Sequence, residues 1–342
     1  MNTADALRRR DPGLGISALG TAEGLESRLV PLRGYDLVVV PKVPLPRRPT
    51  VDLLRVPARL RRAIKVARRH LDEVDASVVV GFGGYVSVPA YLAARRRGTP
   101  IVVHEANARA GIANRLGARW ATAVATASAG ALSGSQVVGI PLRQAISQLD
   151  RSASRAGARA GFGLGDGPVL LVTGGSQGAR RINEAVVAAA SALASAGIQV
   201  LHVTGPKQAG EVRAALGAEA PASHHVLDYV DAMDQAYAAS DLVLCRAGAM
   251  TCAELAAVGL PAVYVPLPIG NGEQALNARP TVAAGGGLLV EDAALDLGYV
   301  TGTVLPLLLD GTRLEQMSRA AGGLGNRHAD DDLADIVLKA AR

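Results

Sequence analysis

Asp241-Leu-Val-Leu-Cys-Arg-Ala-Gly-Ala-Met-Thr-Cys-Ala-Glu254 decides how the rest of the chain is read. Leu242–Cys245 is a short apolar run and predicts a buried strand. Arg246–Met250 carries one glycine and turns the chain. From Thr251 the apolar spacing becomes helical, through Leu255 and Val258, until Gly259-Leu-Pro261 stops it. A strand that ends in a small-residue turn and opens a helix leaves free N–H groups at the positive end of the helix dipole. Such a terminus suits a diphosphate. Glu254, one turn in, is then placed to accept hydrogen bonds from two ribose hydroxyls. The competing reading of Thr251-x-x-Glu254 is a capping box.

The pattern recurs on both sides of this stretch. Upstream, runs at Ile16–Leu19, Leu37–Val40, Val78–Val80, Ile101–Val103 and Val137–Gly139 predict strands. Helical stretches at Leu53–Leu71, Pro89–Arg97 and Ala110–Leu116 alternate with them. A second set follows at Val169–Val172, Val200–Val203, Val226–Tyr229, Leu242–Cys245, Val263–Val265 and Leu288–Val290, closed by helices around Arg313–Ala321 and Asp331–Ala341. This is βαβ order, hence α/β with mostly parallel sheets. The expected domains are 1–145, a connection at 146–167, a second domain at 168–325 and a C-terminal helix at 326–342 that packs back on the first domain. Two such halves bind ligand at the carboxyl ends of their strands, in the cleft between them.

At 342 residues two domains are the default. Cys245 and Cys252 form no CxxC and have no histidine cluster around them, so they read as reduced thiols, and neither a zinc site nor a disulfide scaffold is indicated. No run is apolar enough to span a membrane, and Met1–Arg10 lacks a signal-peptide core. The formal charge of +6 is unevenly placed, with Arg47, Arg48, Arg55, Arg59, Arg61, Arg62, Lys65, Arg68 and Arg69 set against Asp52. Leu53, Val56, Leu60, Ile64, Ala67 and Leu71 form a helical stripe between these cations. It reads either as a helix lying on an anionic membrane or as a core-facing helix with a solvated basic face. Few aromatics and no recognisable nucleic-acid module argue against a nucleic-acid partner.

Several further stretches offer polar groups. Val172-Thr-Gly-Gly-Ser-Gln-Gly-Ala-Arg180 follows a strand and supplies Ser176 and Gln177. It is neither a Walker A loop nor G-x-G-x-x-G, which counts against a dinucleotide oxidoreductase. Gly81-Phe-Gly-Gly-Tyr85 is a second glycine turn. His104-Glu105-Ala106-Asn107 stands at the carboxyl end of Ile101–Val103 and reads as a cleft lining or as a local hydrogen-bond network. Gly139-Ile-Pro-Leu-Arg143 places a cation at the domain junction, and Gln274 and Asn277 share a helical face.

GFGGYVSVP, HEANARAG, VGIPLR, VTGGSQGARRIN, YVDAM, SDLVLCRAGAMTCAELAAVGLP and EQALNA together resemble, in order and spacing, the MurG glycosyltransferases of family 28, over nearly the whole chain. The resemblance implies a GT-B fold, with two Rossmann-like domains whose parallel sheets face across a cleft. It implies inverting transfer of GlcNAc from UDP-GlcNAc to lipid I, giving lipid II, by an enzyme at the cytoplasmic face of the cell membrane. It implies no metal or cofactor. The partners implied are UDP-GlcNAc, lipid I, the anionic inner-membrane surface and proteins of cell-wall synthesis and division, with no nucleic acid.

By resemblance, Asn107 contacts the sugar, Arg143, Ser176 and neighbouring Gln177 the sugar diphosphate, and the Val230 backbone uracil. Ala249, Met250 and Thr251 meet the phosphates at the helix start, Glu254 the ribose, and Gln274 and Asn277 the GlcNAc hydroxyls. Tyr85, His104 and Glu105 fall on the acceptor side. The family opens on a strand and a Gly-Gly-Thr-x-Gly-His loop whose histidine is the general base. This chain opens on the helix that follows, so that strand and loop are expected upstream of Met1 or absent. The base is therefore unassigned, with His104 and Glu105 the remaining candidates. The alternative is a homologue that binds UDP-GlcNAc without transferring its sugar.

Overall fold

Every strand ladder among the described residues is parallel. That follows from strands separated by helical crossovers. The computed structural model describes residues 1–43, 56–175, 178–269 and 272–342. The chain divides into two units, Met1–Pro141 with His328–Arg342, and Leu142–Arg327. Unit 2 is thus one continuous segment, and helix Ala329–Ala340 belongs to unit 1.

In unit 1, β1 (Ser17–Gly20) pairs with β2 (Asp36–Val39) in a two-stranded sheet. A separate four-stranded sheet runs β3 (Val79–Gly81), β4 (Ile101–Glu105), β5 (Ala123–Thr126) and β6 (Gln136–Val137). No ladder joins β1 to β3 among the described residues. Side chains bridge them instead. Leu19 packs with the cluster of Ile64, Ala67, Leu71 and Val79, and also with Val40, Val43 and Ala63. Leu14 and Ile16 join Val78 and Val80 around Leu333, Ala334 and Val337 of the C-terminal helix. Arg9 fixes that helix to Asn2–Arg10 through Asp330 at 2.7 Å. The layer is continuous in packing and interrupted in hydrogen bonding.

Helix Val56–Glu73 shows where the apolar side of the basic stripe lies. Its apolar side is in the protein: Ile64, Ala67 and Leu71 are buried against Ala90, Tyr91, Ala93 and Ala94, with Leu60 beside them. Ile64 and Leu71 each contribute roughly 1.5–3 kcal/mol by leaving water, so this stripe belongs to the core and is not a membrane-inserting face. Arg61, Arg62, Lys65, Arg68 and Arg69 form its exposed side. Arg68 and Arg69 face Asp72 and Glu73 one turn on. Leu53 and Arg55 lie outside the described residues.

In unit 2 a single six-stranded sheet comprises β7 (Val169–Thr173), β8 (Gln199–Val203), β9 (His224–Leu227), β10 (Leu242–Cys245), β11 (Ala262–Tyr264) and β12 (Gly287–Leu289). Its order is β12-β11-β10-β7-β8-β9. β7 and β10 are buried throughout, as strands covered on both faces must be. The segment 146–167 holds helix Arg151–Phe162, begun by Asp150 accepting from the Ala153 N–H and ended at Gly163 in the left-handed region. Arg155 and Arg159 of this helix both reach Asp241 at the foot of β10, and the Val169 N–H donates to the same carboxylate. The foot of the two central strands is thereby tied together.

Candidate functional site

Strand order locates the site before any side chain does. From β7 the sheet grows one way to β8 and β9, and from β10 the other way to β11 and β12. β7 and β10 are therefore the switch point, where the loops leaving their carboxyl ends part, the place where sheets of this kind bind ligand. Both loops are small-residue turns. Gly174 and Gly175 leave β7, with Gly175 at φ +76°. A Cβ on Gly174 would meet the Ala179 N at 2.3 Å, and one on Gly178 the Thr204 O at 2.4 Å, so the turn closes only with glycine there. Ser176 and Gln177 lie outside the described residues.

The turn after β10 leads into helix Ala249–Val258 with Gly248 as N-cap and no side-chain cap. The first helical N–H to find a carbonyl is that of Cys252, on Gly248 O. The N–H groups of Ala249, Met250 and Thr251 are the open positive end of the helix. Because the helix begins at Ala249, Thr251 is not its cap and Thr251-x-x-Glu254 is not a capping box. Glu254 instead points to a neighbouring helix, where its Oε2 accepts from the Tyr237 hydroxyl at 2.7 Å. Its Oε1 stands 3.9 Å from Arg143 Nη2. Burial pushes the Glu254 carboxyl up, against the lowering pull of the Tyr237 hydroxyl and Arg143. Burial raises Tyr237 as well, well above the ordinary phenol value. A buried carboxylate with one bonded oxygen and one facing a cation is a preset acceptor for hydroxyl donors.

Arg143 caps the short helix Gln144–Ser147 and also donates to Asp231 O at 3.3 Å. Val230 is buried beside it in sequence, after β9. Gln274 and Asn277 both stand on helix Glu273–Ala283. Gln274 accepts from the Leu267 N–H, and Asn277 donates to Ala247 O at 3.4 Å, in the turn after β10. Unit 2 therefore gathers Arg143, Glu254 and the open helix end, with Asn277 tied to the same turn.

The remaining sequence-derived residues belong to unit 1. β4 runs through Glu105, so His104 and Glu105 are strand residues and not the loop beyond it. Both are buried. His104 donates from Nε2 to Gly139 O at 2.8 Å, and burial lowers its pKa, which keeps the ring neutral. The Glu105 carboxylate accepts from the Asn107 N–H and side chain on one oxygen, and from the Gly111 N–H and Asn114 Nδ2 on the other. Asn114 in turn accepts from the Tyr91 hydroxyl. For these two candidates the local-network reading describes what the side chains do: they hold the β4 exit in shape. Tyr85 is half exposed in the glycine turn, where Gly83 and Gly84 both have positive φ. Tyr237 escaped the sequence reading, since nothing in its own helix marks it as the partner of Glu254.

Among the described residues no three His, Cys, Asp or Glu side chains are grouped as metal ligands. Two units of parallel α/β architecture, the second with its strand-order switch at β7 and β10, have the GT-B fold. The solved structure of Acinetobacter baumannii MurG is similar to this chain at a TM-score of 0.78 and 28% identity, over 98% of this chain and 95% of that one. The family 28 N-terminal domain matches residues 1–126 and the family 28 C-terminal domain residues 169–335. The chain belongs to glycosyltransferase family 28. Two curated relatives carry the name UDP-N-acetylglucosamine–N-acetylmuramyl-(pentapeptide) pyrophosphoryl-undecaprenol N-acetylglucosamine transferase. That of Acidothermus cellulolyticus is 59% identical, over 100% of this chain and 94% of its own length. That of Nocardia farcinica is 58% identical, over 99% and 91%.

Proposed function

We propose that the chain transfers GlcNAc from UDP-GlcNAc to lipid I with inversion, yielding lipid II and UDP for peptidoglycan synthesis. The observation that carries this is full-length identity of 58–59% to enzymes of that name. The geometry of unit 2 supports it chemically. As the sugar C1–O bond to the diphosphate breaks, negative charge grows on the leaving phosphate. The N–H groups of Ala249, Met250 and Thr251 and the Arg143 guanidinium supply fixed positive charge where it grows. That field needs no metal.

In this reading Glu254 accepts from the ribose hydroxyls, Val230 meets uracil through its backbone, and Ser176 and Gln177 complete the phosphate cradle. Gln274, Asn277 and Asn107 face the GlcNAc hydroxyls. Unit 1 takes the acceptor, with Tyr85 on the surface and His104 and Glu105 shaping the loop beneath. The acceptor hydroxyl attacks C1 and gives up its proton to a base that no residue here is assigned. No described helix is long and apolar enough to cross a membrane. The enzyme meets the cytoplasmic face of the membrane peripherally, through the exposed cations of helix Val56–Glu73, alongside cell-wall synthesis and division proteins.

The test is transfer of labelled GlcNAc from UDP-GlcNAc to a lipid I analogue, with Glu254→Ala and Arg143→Ala alongside. Labelled lipid II is the expected product, reduced in both variants. UDP-GlcNAc binding with no transfer under any acceptor condition would sink the catalytic reading.

A further inference from the structure

Tyr237 and Glu254 stand on helices Met233–Ala239 and Ala249–Val258, and Arg143 is the N-cap residue of Gln144–Ser147, which packs against both. Their mutual distances depend on how those helices are held. Each helix ends in carbonyls that its own turns leave unbonded. Two arginines collect them. Arg151 donates to Tyr237 O at 3.3 Å, Ser240 O at 2.7 Å and Gly259 O at 2.9 Å. Arg327 donates to Ala257 O at 2.8 Å, Leu149 O at 3.2 Å and Ser147 O at 3.4 Å. Arg151 thus joins the ends of the helices carrying Tyr237 and Glu254. Arg327 joins the ends of those carrying Glu254 and Arg143.

We infer that Arg151 and Arg327 are positioning residues for the nucleotide site: together they clamp three helix C-termini and so set the spacing of Arg143, Tyr237 and Glu254. The inference rests on the donor-site reading of those three groups. The physics favours guanidinium for this task. A planar fork with five donors can hold several carbonyls in one fixed arrangement, and its charge matches the negative ends of the helix dipoles. An ammonium can satisfy one end but cannot hold both helices at the same separation. Both arginines line an open cavity of ≈ 510 Å³ with Gln148, Asp150 and Ser152. Truncating Arg327 therefore widens solvent-filled space and opens no void in the core.

The experiment is a double-mutant cycle on the full chain, reading UDP-GlcNAc affinity by calorimetry. Arg143→Ala and Glu254→Ala are measured first, and if neither weakens binding, the donor-site reading fails and this inference with it. With that reading intact, Arg327→Ala should weaken UDP-GlcNAc about tenfold, the size expected of coupled neighbours. In the Arg143→Ala background the further loss from Arg327→Ala should shrink to the part that runs through Glu254, because the other part acts through where Arg143 sits. Undiminished loss in that background would overturn the inference, as would wild-type affinity in Arg327→Ala. Arg327→Lys keeps the charge and serves if the alanine variant does not fold. It should lose affinity like the alanine variant, and full affinity in Arg327→Lys would equally overturn the bridge.

Discussion

The two units use the same βαβ grammar and hold their strands by different means. In unit 2 six strands share one ladder, with one large cluster of Leu170, Val172, Leu242, Leu244 and Val263 at its centre. In unit 1 the strands fall into a pair and a quartet. Three smaller clusters, two of them linked through Leu19, do the joining that backbone hydrogen bonds do elsewhere. The difference separates two contributions usually seen together. Side-chain packing places β1 beside β3, and the ladder, where present, adds directional bonds of roughly 0.5–1.5 kcal/mol each. A layer held by packing alone should open locally more easily than one held by both.

Hydrogen exchange gives the largest contrast. Amides of β7 and β10 should exchange only through global opening of unit 2, a cost of roughly 5–15 kcal/mol. Those of β1 and β2 should exchange at least about 100-fold faster, a difference of some 3 kcal/mol. Equal protection in the two places would break the comparison.

Acid should act on unit 2 next most strongly. His202 accepts on Nδ1 from His224 and donates from Nε2 to Asn183 Oδ1, and His224 Nδ1 is buried without a partner. Burial lowers His202 to about 3 and His224 to about 4. The unfolded chain takes up these protons near pH 6.5 while the folded one does not, so their contribution to stability is whole above that pH. It falls away from about pH 6.5 down to about 4 for His224 and about 3 for His202, by at most roughly 1.4 kcal/mol per pH unit for each ring. Exchange-measured stability of β7 should drop over that range, and His202→Gln should flatten the drop. Trp120, the single tryptophan, lies in unit 1 and supplies a separate fluorescence signal. A slope unchanged by His202→Gln would remove the pair from the account.

Glu254→Ala should weaken UDP binding by roughly 1–3 kcal/mol, the size of a lost charged hydrogen-bond partner. Trp120 fluorescence should not move. If unit 2 melts earlier while UDP affinity on folded protein holds, Glu254 is structural only. The smallest effect concerns the basic helix. Replacing any one of Arg61, Arg62 and Lys65 with Gln should weaken binding to anionic vesicles, read by co-sedimentation, by about 1 kcal/mol at low salt, and less as salt is added. Unchanged sedimentation would leave that face merely solvated.

Much of unit 2 was legible because buried parallel strands are uniform apolar runs, and Leu242–Cys245 needed no adjustment. β5 was not, since Ala123-Val-Ala-Thr126 carries little bulk and no alternation. Helix Ala249–Val258 begins two residues earlier than its apolar spacing suggested, because Gly248 caps it through backbone shape with no side-chain signal. From Val56 on, the apolar stripe of helix Val56–Glu73 is legible in the sequence as a stripe. Periodicity does not say whether a stripe meets protein or lipid. In the site, Arg143 and Glu254 could be named from their surroundings in sequence. Tyr237, Arg151 and Arg327 could not, because their partners are carbonyls and a carboxylate brought near only by the fold.

The insertion of Leu142–Arg327 between the two parts of unit 1 orders events during synthesis. Translation delivers roughly 5–20 residues per second, and domains fold as their segments emerge. Unit 2 has all its residues once Arg327 is out. The cluster of Ala6, Leu7 and Val102 still waits for Leu333, Ala334 and Val337. Until then the nascent first unit exposes that apolar surface, so the half of the molecule made first is the half finished last.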